Sequence, residues 1–115
     1  MDADPLVAIA ALGSAIYHVH AKDTRLEPQA LARDGRLEIR PADDFAHRAW
    51  NYVTLGRGHD AAWWRAFCGA LAAIGYDDVL SIEHEDLALP PIDGVRQSVA
   101  LLRRGITSAA SGSGQ

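Results

Sequence analysis

The chain predicts an α/β domain built on parallel strands, and three observations carry that reading. Two apolar runs, residues 16–20 and 79–83, have strand character, and a capped amphipathic helix lies between them. Each run ends in a cluster of ionisable side chains. The predicted order is helix, strand, long excursion, helix, strand, helix, and a strand–helix–strand unit makes a parallel pair with a right-handed crossover. Parallel strands need neighbours on both edges, and two alone leave both edges open. The order therefore reads as part of a larger α/β layer.

Each element has its own local cause. Asp4-Pro5 opens the first helix with a capping carboxylate and a proline in the first turn. Leu6, Ile9 and Leu12 mark its apolar face, and Gly13 closes it. From Thr24 to Thr54 the chain makes an excursion with a short helix after Pro28, a turn at Asp34-Gly35 and little regular structure beyond. Arg36 to Arg40 alternates weakly and is the only further strand candidate. Gly56-Arg57-Gly58 permits a tight turn, and Asp60 caps a helix with a buried stripe of Trp63, Phe67, Leu71 and Ile74, stopped by Gly75. Pro90-Pro91 makes a turn, and Val95, Val99 and Leu102 mark a final helix after Asp93. One domain over residues 4–106 is expected, with residues 107–115, small and polar, as a disordered tail.

Composition narrows the function classes. With 115 residues and a hydrophobic content of 49%, the chain can hold a core. A net charge of −4, with basic residues scattered, argues against a nucleic-acid or anionic-membrane surface. The single cysteine, Cys68, sits in an apolar helical stretch and reads as a buried, inert thiol. No apolar run approaches the roughly 20 residues needed to span a bilayer, and no secretory signal precedes the first helix. A cytoplasmic protein is expected.

The chemistry concentrates at the two strand ends. Side chains alternate along a strand, so His18 and His20 share a face, as do Glu83 and Glu85. Imidazole and carboxylate at the carboxyl ends of parallel strands are what a metal-assisted site requires, and the set suits Mn²⁺, Mg²⁺, Co²⁺ or Zn²⁺. The spacing alone is equally compatible with polar strand ends meeting water. His18, one layer below His20, can orient a ligand or a substrate hydroxyl, or be a hydrogen-bonded core histidine. Lys22 can meet a substrate oxygen or phosphate, or form a salt bridge with Asp23 or a neighbouring strand's carboxylate. Arg57 and His59 flank a glycine that lets backbone approach a ligand. Glu85 and Asp86 can cap the following loop. Trp63, Trp64 and Phe67 read as helix packing, whereas Trp50 and Tyr52 are the better pocket-lining candidates.

Three motifs in order, His18-Val19-His20-Ala21-Lys22-Asp23, then Tyr52 to Asp60, then Gly75 to Asp86, resemble the C-terminal part of the sugar phosphate isomerase/epimerase family. These are xylose isomerase-like TIM barrels, and the resemblance covers about residues 4 to 104. It implies that the two strands are the seventh and eighth of a (β/α)8 barrel. It places the family's histidine metal ligand on His20 and the last glutamate ligand on Glu83, which would also serve as acid and base. The earlier Glu and Asp ligands would lie upstream of residue 1, where Met1-Asp2-Ala3 falls just past the preceding strand, as in a truncated gene or an excised fragment.

The expected function is thus that of the C-terminal portion of a metal-dependent sugar or sugar phosphate isomerase or epimerase. It would move a proton next to a carbonyl through a metal-stabilised enediolate. The fragment alone is expected to be inactive and to bind metal weakly, the remaining ligands lying outside it. Self-association, or a partner supplying the missing strands, is expected through the open edges. The alternatives are a non-catalytic subunit or interaction module, and a carbohydrate lyase on the same scaffold.

Overall fold

The computed structural model describes residues 3–113. Helix α1 spans Pro5–Leu12, with Asp4 Oδ1 accepting the Leu6 backbone N–H at 2.9 Å and Gly13 at its end. Ile9 is buried, but Leu12 turns outward and is exposed, as is Val7. The apolar residues of α1 are therefore not confined to one stripe, and only part of the helix surface finds cover among the described residues.

Strand β1 (Val19–Ala21) pairs in parallel with β4 (Leu80–Ile82), the partners being Val19 with Leu80, His20 with Ser81 and Ala21 with Ile82. The chain connects them through helix α3 (Ala61–Ala73), which the Asp60 side chain caps by accepting from Trp63 N–H at 2.9 Å. The final helix, α4 (Pro91–Ser113), packs along α3. Gly105 makes this approach possible, since a Cβ there would come 2.9 Å from Cys68 Sγ. The core gathers Ile9, Ala21, Leu55, Trp64, Phe67, Cys68, Leu71, Leu101 and Leu102. Val19, Leu80 and Ile82 pack against it from the strands, so the helices cover one face of the parallel pair.

Three details differ from the sequence reading. The excursion after Lys22 is not a plain loop. Strand β2 (Asp23–Leu26) continues directly from β1, and it pairs antiparallel with β3 (Trp50–Val53), with helix α2 (Pro28–Asp34) between them. The Arg36–Arg40 alternation stays irregular. On α3 the deepest residues are Trp64, Phe67, Cys68 and Leu71, while Trp63 and Ile74 lie at the margin. Trp64 turns inward because its indole N–H has a buried acceptor, described below. The last helix also runs past Thr107 to Ser113, where disorder was expected; residues 114 and 115 lie outside the described residues. Alanine favours helix, and Ala109 still meets the core, which extends the helix through this polar stretch.

Candidate active site at the strand ends

The uncovered face of the parallel pair is polar, and its side chains join into one chain. Ser81 Oγ and His18 Nε2 share a hydrogen bond at 3.0 Å, and the His18 and His20 rings meet edge to face at 4.9 Å. His20 Nδ1 lies 2.5 Å from Glu83 Oε1. Lys22 Nζ donates to Glu85 Oε1 at 2.6 Å, lies 3.2 Å from Glu83 Oε2, and sits 3.9 Å from the centre of the Tyr52 ring. The three cross-strand bonds all join residues 63 apart. Each bond reaches the residue two past the Cα partner, His20 for example pairing with Ser81 and bonding Glu83, and alternation keeps such residues on one face. Alternation alone therefore builds the row Ser81, His18, His20, Glu83, Lys22, Glu85.

Electrostatics fix the charge states. The bonds from His20 and then Lys22 hold the Glu83 carboxyl below the usual carboxylate range, against a smaller opposing effect of desolvation. Glu83 is thus a carboxylate, and the shared hydrogen rests on His20 Nδ1. For Lys22, partial burial acts to lower the pKa, but Glu85 and Glu83 outweigh it and raise the ammonium above its ordinary value. Both His20 and Glu83 remain open to solvent, with side chains 55% and 40% exposed.

Two residues on this face are of types that can hold a divalent ion. His20 and Glu83 supply one nitrogen and one carboxylate on a common face at the carboxyl ends of adjacent strands. Among the described residues no group of three or more His, Cys, Asp or Glu is placed to hold a metal. Lys22 puts its own positive charge against the same carboxylate.

Arg57 and His59 do not join this row. Arg57 Nη2 donates to Gln97 Oε1 on α4 at 3.1 Å, and His59 bonds Asp23 and stacks on Trp63. The cause is again alternation. Asp23 follows Lys22 and so turns to the helix side of the strand, where it is 1% exposed and draws the Gly56–His59 turn toward itself. Its carboxylate accepts from the backbone N–H groups of Thr24, Gly56, Gly58 and His59, from His59 Nδ1 at 2.7 Å, and from Trp64 Nε1 at 3.2 Å. Gly58 is required here, since a Cβ would come 2.3 Å from the Thr24 carbonyl oxygen. Asp86 does the same for the end of β3. Its Oδ2 accepts from Thr54 N–H and Oγ1–H, both at 2.9 Å, and its Oδ1 from Ala88 N–H. Burial acts to raise the Asp86 carboxyl, and these bonds overcome it and hold it below its ordinary value. Asp86 is therefore more than a loop cap, and Asp23 is a buried hub. The signal for Asp23 was its place one residue after Lys22 together with the donor-rich Gly-Arg-Gly turn.

The remaining expectations are placed as follows. Cys68 is free and buried, and desolvation pushes its thiol up. Tyr52 and Trp50 line two different cavities, and their rings meet at 5.3 Å on a common face of β3. No helix among the described residues is long and apolar enough to cross a membrane.

A parallel strand pair with its helices on one face, and imidazole, carboxylate and ammonium gathered at the strand ends on the other, is the arrangement of a TIM barrel fragment. The profile of the family described as xylose isomerase-like TIM barrel matches residues 1–105, and the chain belongs to that family. The chain is also 46% identical over 107 residues to the uncharacterized protein YfiH of Bacillus subtilis (strain 168), a stretch that is 93% of this chain and 34% of YfiH. The chain thus spans about a third of the length of that relative.

Proposed function

We propose that this chain supplies the seventh and eighth strands of a metal-dependent sugar or sugar phosphate isomerase or epimerase, and with them half of its metal shell. The observation that carries this reading is the His20–Glu83 pair, 2.5 Å apart at the carboxyl ends of adjacent parallel strands in a xylose isomerase-like chain. His20 and Glu83 would hold a divalent ion, which when bound polarises a substrate carbonyl. Glu83 carries the chain's own chemistry. It is ionised and solvent-facing, so it can take the proton from the carbon beside the carbonyl and return it elsewhere. Without the ion, His20 donates through Nδ1 to one Glu83 oxygen and keeps the pair together on the common face. Lys22, held by Glu85 and the Tyr52 face, presents a positive charge where negative charge develops on a substrate oxygen. His18, anchored by Ser81, holds the His20 ring edge and limits its rotation.

The missing two ligands, and the cover for the exposed apolar residues of α1, come in this reading from further strands and helices on a partner, a second copy or a longer chain. A chimera tests the function: YfiH with its matching 107 residues replaced by this sequence. With Mn²⁺ present, solvent deuterium should enter aldoses, ketoses or their phosphates next to the carbonyl, and Glu83→Gln should abolish it. Elimination of water from the substrate without exchange would instead favour the lyase. A folded, metal-binding chimera that does neither on any of these substrates would refute the isomerase reading.

A further inference from the structure

A cavity of about 260 Å³ lies between the β2–β3 ribbon and the loop that follows β4. Tyr52 and Glu85 line it, and both also contact Lys22, so the cavity adjoins the strand-end row. Its wall also contains Arg48, which is 8% exposed. The Arg48 Nε–H donates to the Trp50 carbonyl at 3.3 Å and Nη1–H to the Arg40 carbonyl, and the guanidinium lies 5.0 Å from the Trp50 ring centre. None of these neighbours carries a formal negative charge, and Arg48 has no ion pair among the described residues. A buried guanidinium without a counter-ion is costly, and folded proteins ordinarily pair such groups.

Apart from His84, whose buried Nε2 has no hydrogen-bond partner among the described residues, the other ionisable groups on this wall already have partners. Arg25 is paired with Glu27, Glu85 with Lys22, and Asp86 with the Thr54 and Ala88 donors. The nearby Glu38 carboxylate accepts from the Ala49 and Arg40 backbone N–H groups and from the Arg40 guanidinium. Arg48 is left as the positive group without a match. Asn51 in the same wall donates to Glu27 and to the Phe45 carbonyl, which keeps the surrounding loop in place. The space would hold about nine waters at ~30 Å³ each. That is room for one oxyanion and part of the chain that bears it.

We infer that this cavity is the subsite for an anionic group at the end of the substrate remote from the reacting carbon, and that Arg48 is its counter-ion. The inference rests on the function proposed above for its link to a sugar. The ligand chemistry is a phosphate ester or a sugar carboxylate, since both offer the coplanar oxygens that a guanidinium fork binds. Arg48 then determines specificity: it separates charged sugars from neutral ones.

The test is a titration of the chain as it stands, without metal, followed by the ¹⁵N–¹H signal of Arg48 Nε. The probes are inorganic phosphate, a hexose 6-phosphate, a hexuronate and the parent hexose. Saturable shifts from inorganic phosphate and the hexose phosphate, from the hexuronate, or from all three, with none from the hexose, are expected. The pattern among the probes tells a phosphate site from a carboxylate site. Arg48→Gln keeps a donor for the neighbouring carbonyls but removes the charge, so it should weaken anion binding at least tenfold, followed on neighbouring backbone amides. Arg48→Lys, which keeps the charge, should retain part of it. Absence of a saturable shift with every anion, or unchanged affinity in Arg48→Gln, would overturn the inference. Because nothing here depends on metal or turnover, that failure would leave the isomerase reading standing. Loss of exchange in the chimera would equally leave the anion subsite intact.

Discussion

Replacing Asp23 by asparagine should cost this fold more than any single change at the strand-end row. The carboxylate is 1% exposed and accepts from six donor groups, four of them backbone N–H. Oδ2 faces Gly56, Gly58, His59 and Trp64, and Oδ1 faces Thr24 and His59. An asparagine that keeps its oxygen toward the first group turns its amide N–H₂ toward the Thr24 N–H. The Thr24 bond is then lost outright, the His59 Nδ1 bond survives only if that nitrogen becomes the acceptor, and the others lose their ionic partner. Bonds to charged groups contribute about 1.5–3 kcal/mol each and neutral ones about 1 kcal/mol. The expected loss is therefore about 3–5 kcal/mol, against a typical domain stability of about 5–15 kcal/mol.

The assay is urea unfolding at fixed protein concentration, read by tryptophan fluorescence and by far-UV circular dichroism. Trp64 bonds Asp23 directly, so its emission should respond in the native baseline as well as in the midpoint. His59→Ala is the control. It removes the bond from the half-exposed imidazole and the ring's contact with Trp63, and about 1–2 kcal/mol is expected. A loss below 1 kcal/mol for Asp23→Asn would refute the reasoning, because the turn's N–H groups would then have found water without cost.

Further outcomes follow from the same geometry. Gly58→Ala should destabilise by ~3 kcal/mol in the same urea experiment, since the new Cβ meets the Thr24 carbonyl, which is backbone and cannot swing aside. Asp86 has a depressed folded-state pKa, so its contribution is present above the ordinary value of 3.8 and is lost as pH falls below it. Thermal melts of Asp86→Asn should therefore lose stability at pH 7 and show a shallower decline below about pH 4 than the parent; an identical acid limb would contradict the assignment. Calorimetric titration of the chain with Mn²⁺ should show weak or no binding, because two protein ligands leave most of the shell to water. Tight stoichiometric binding would mean that Glu85 or a second copy completes the site. Light scattering on dilute protein should show self-association, given the two open edges of the β1–β4 pair, and a monodisperse monomer would show that those edges are tolerated.

Much of this was legible in the sequence where one periodicity decided the outcome. The two parallel strands and the caps at Asp4 and Asp60 follow from alternation and local hydrogen bonding. The meeting of His20 with Glu83 follows from alternation too, once the two strands are paired in parallel. What was not legible depended on partners far away in the chain. The β2–β3 ribbon was hidden because Asp23-Thr24-Arg25-Leu26 has no apolar alternation, and its pairing is held by polar contacts such as Asn51 with Glu27. Trp64 over Trp63 as the inward residue depended on Asp23 being buried 41 positions earlier. A stripe drawn from hydrophobicity alone cannot see a buried acceptor.

The division of labour between adjacent residues is the main physical lesson of this chain. Lys22 and Asp23 are neighbours with opposite charges, and a sequence reading readily pairs them with each other. A strand forbids it, because consecutive side chains leave on opposite faces. Lys22 goes to the solvent face and meets the Glu83 and Glu85 carboxylates just beyond β4. Asp23 goes to the helix face and binds the turn that starts α3, where its charge is unavailable to anything else. The buried face thus holds the polar strand-end row in register. A change at Asp23 should alter the strand-end chemistry only through folding, whereas a change at Lys22 should alter it at the site itself.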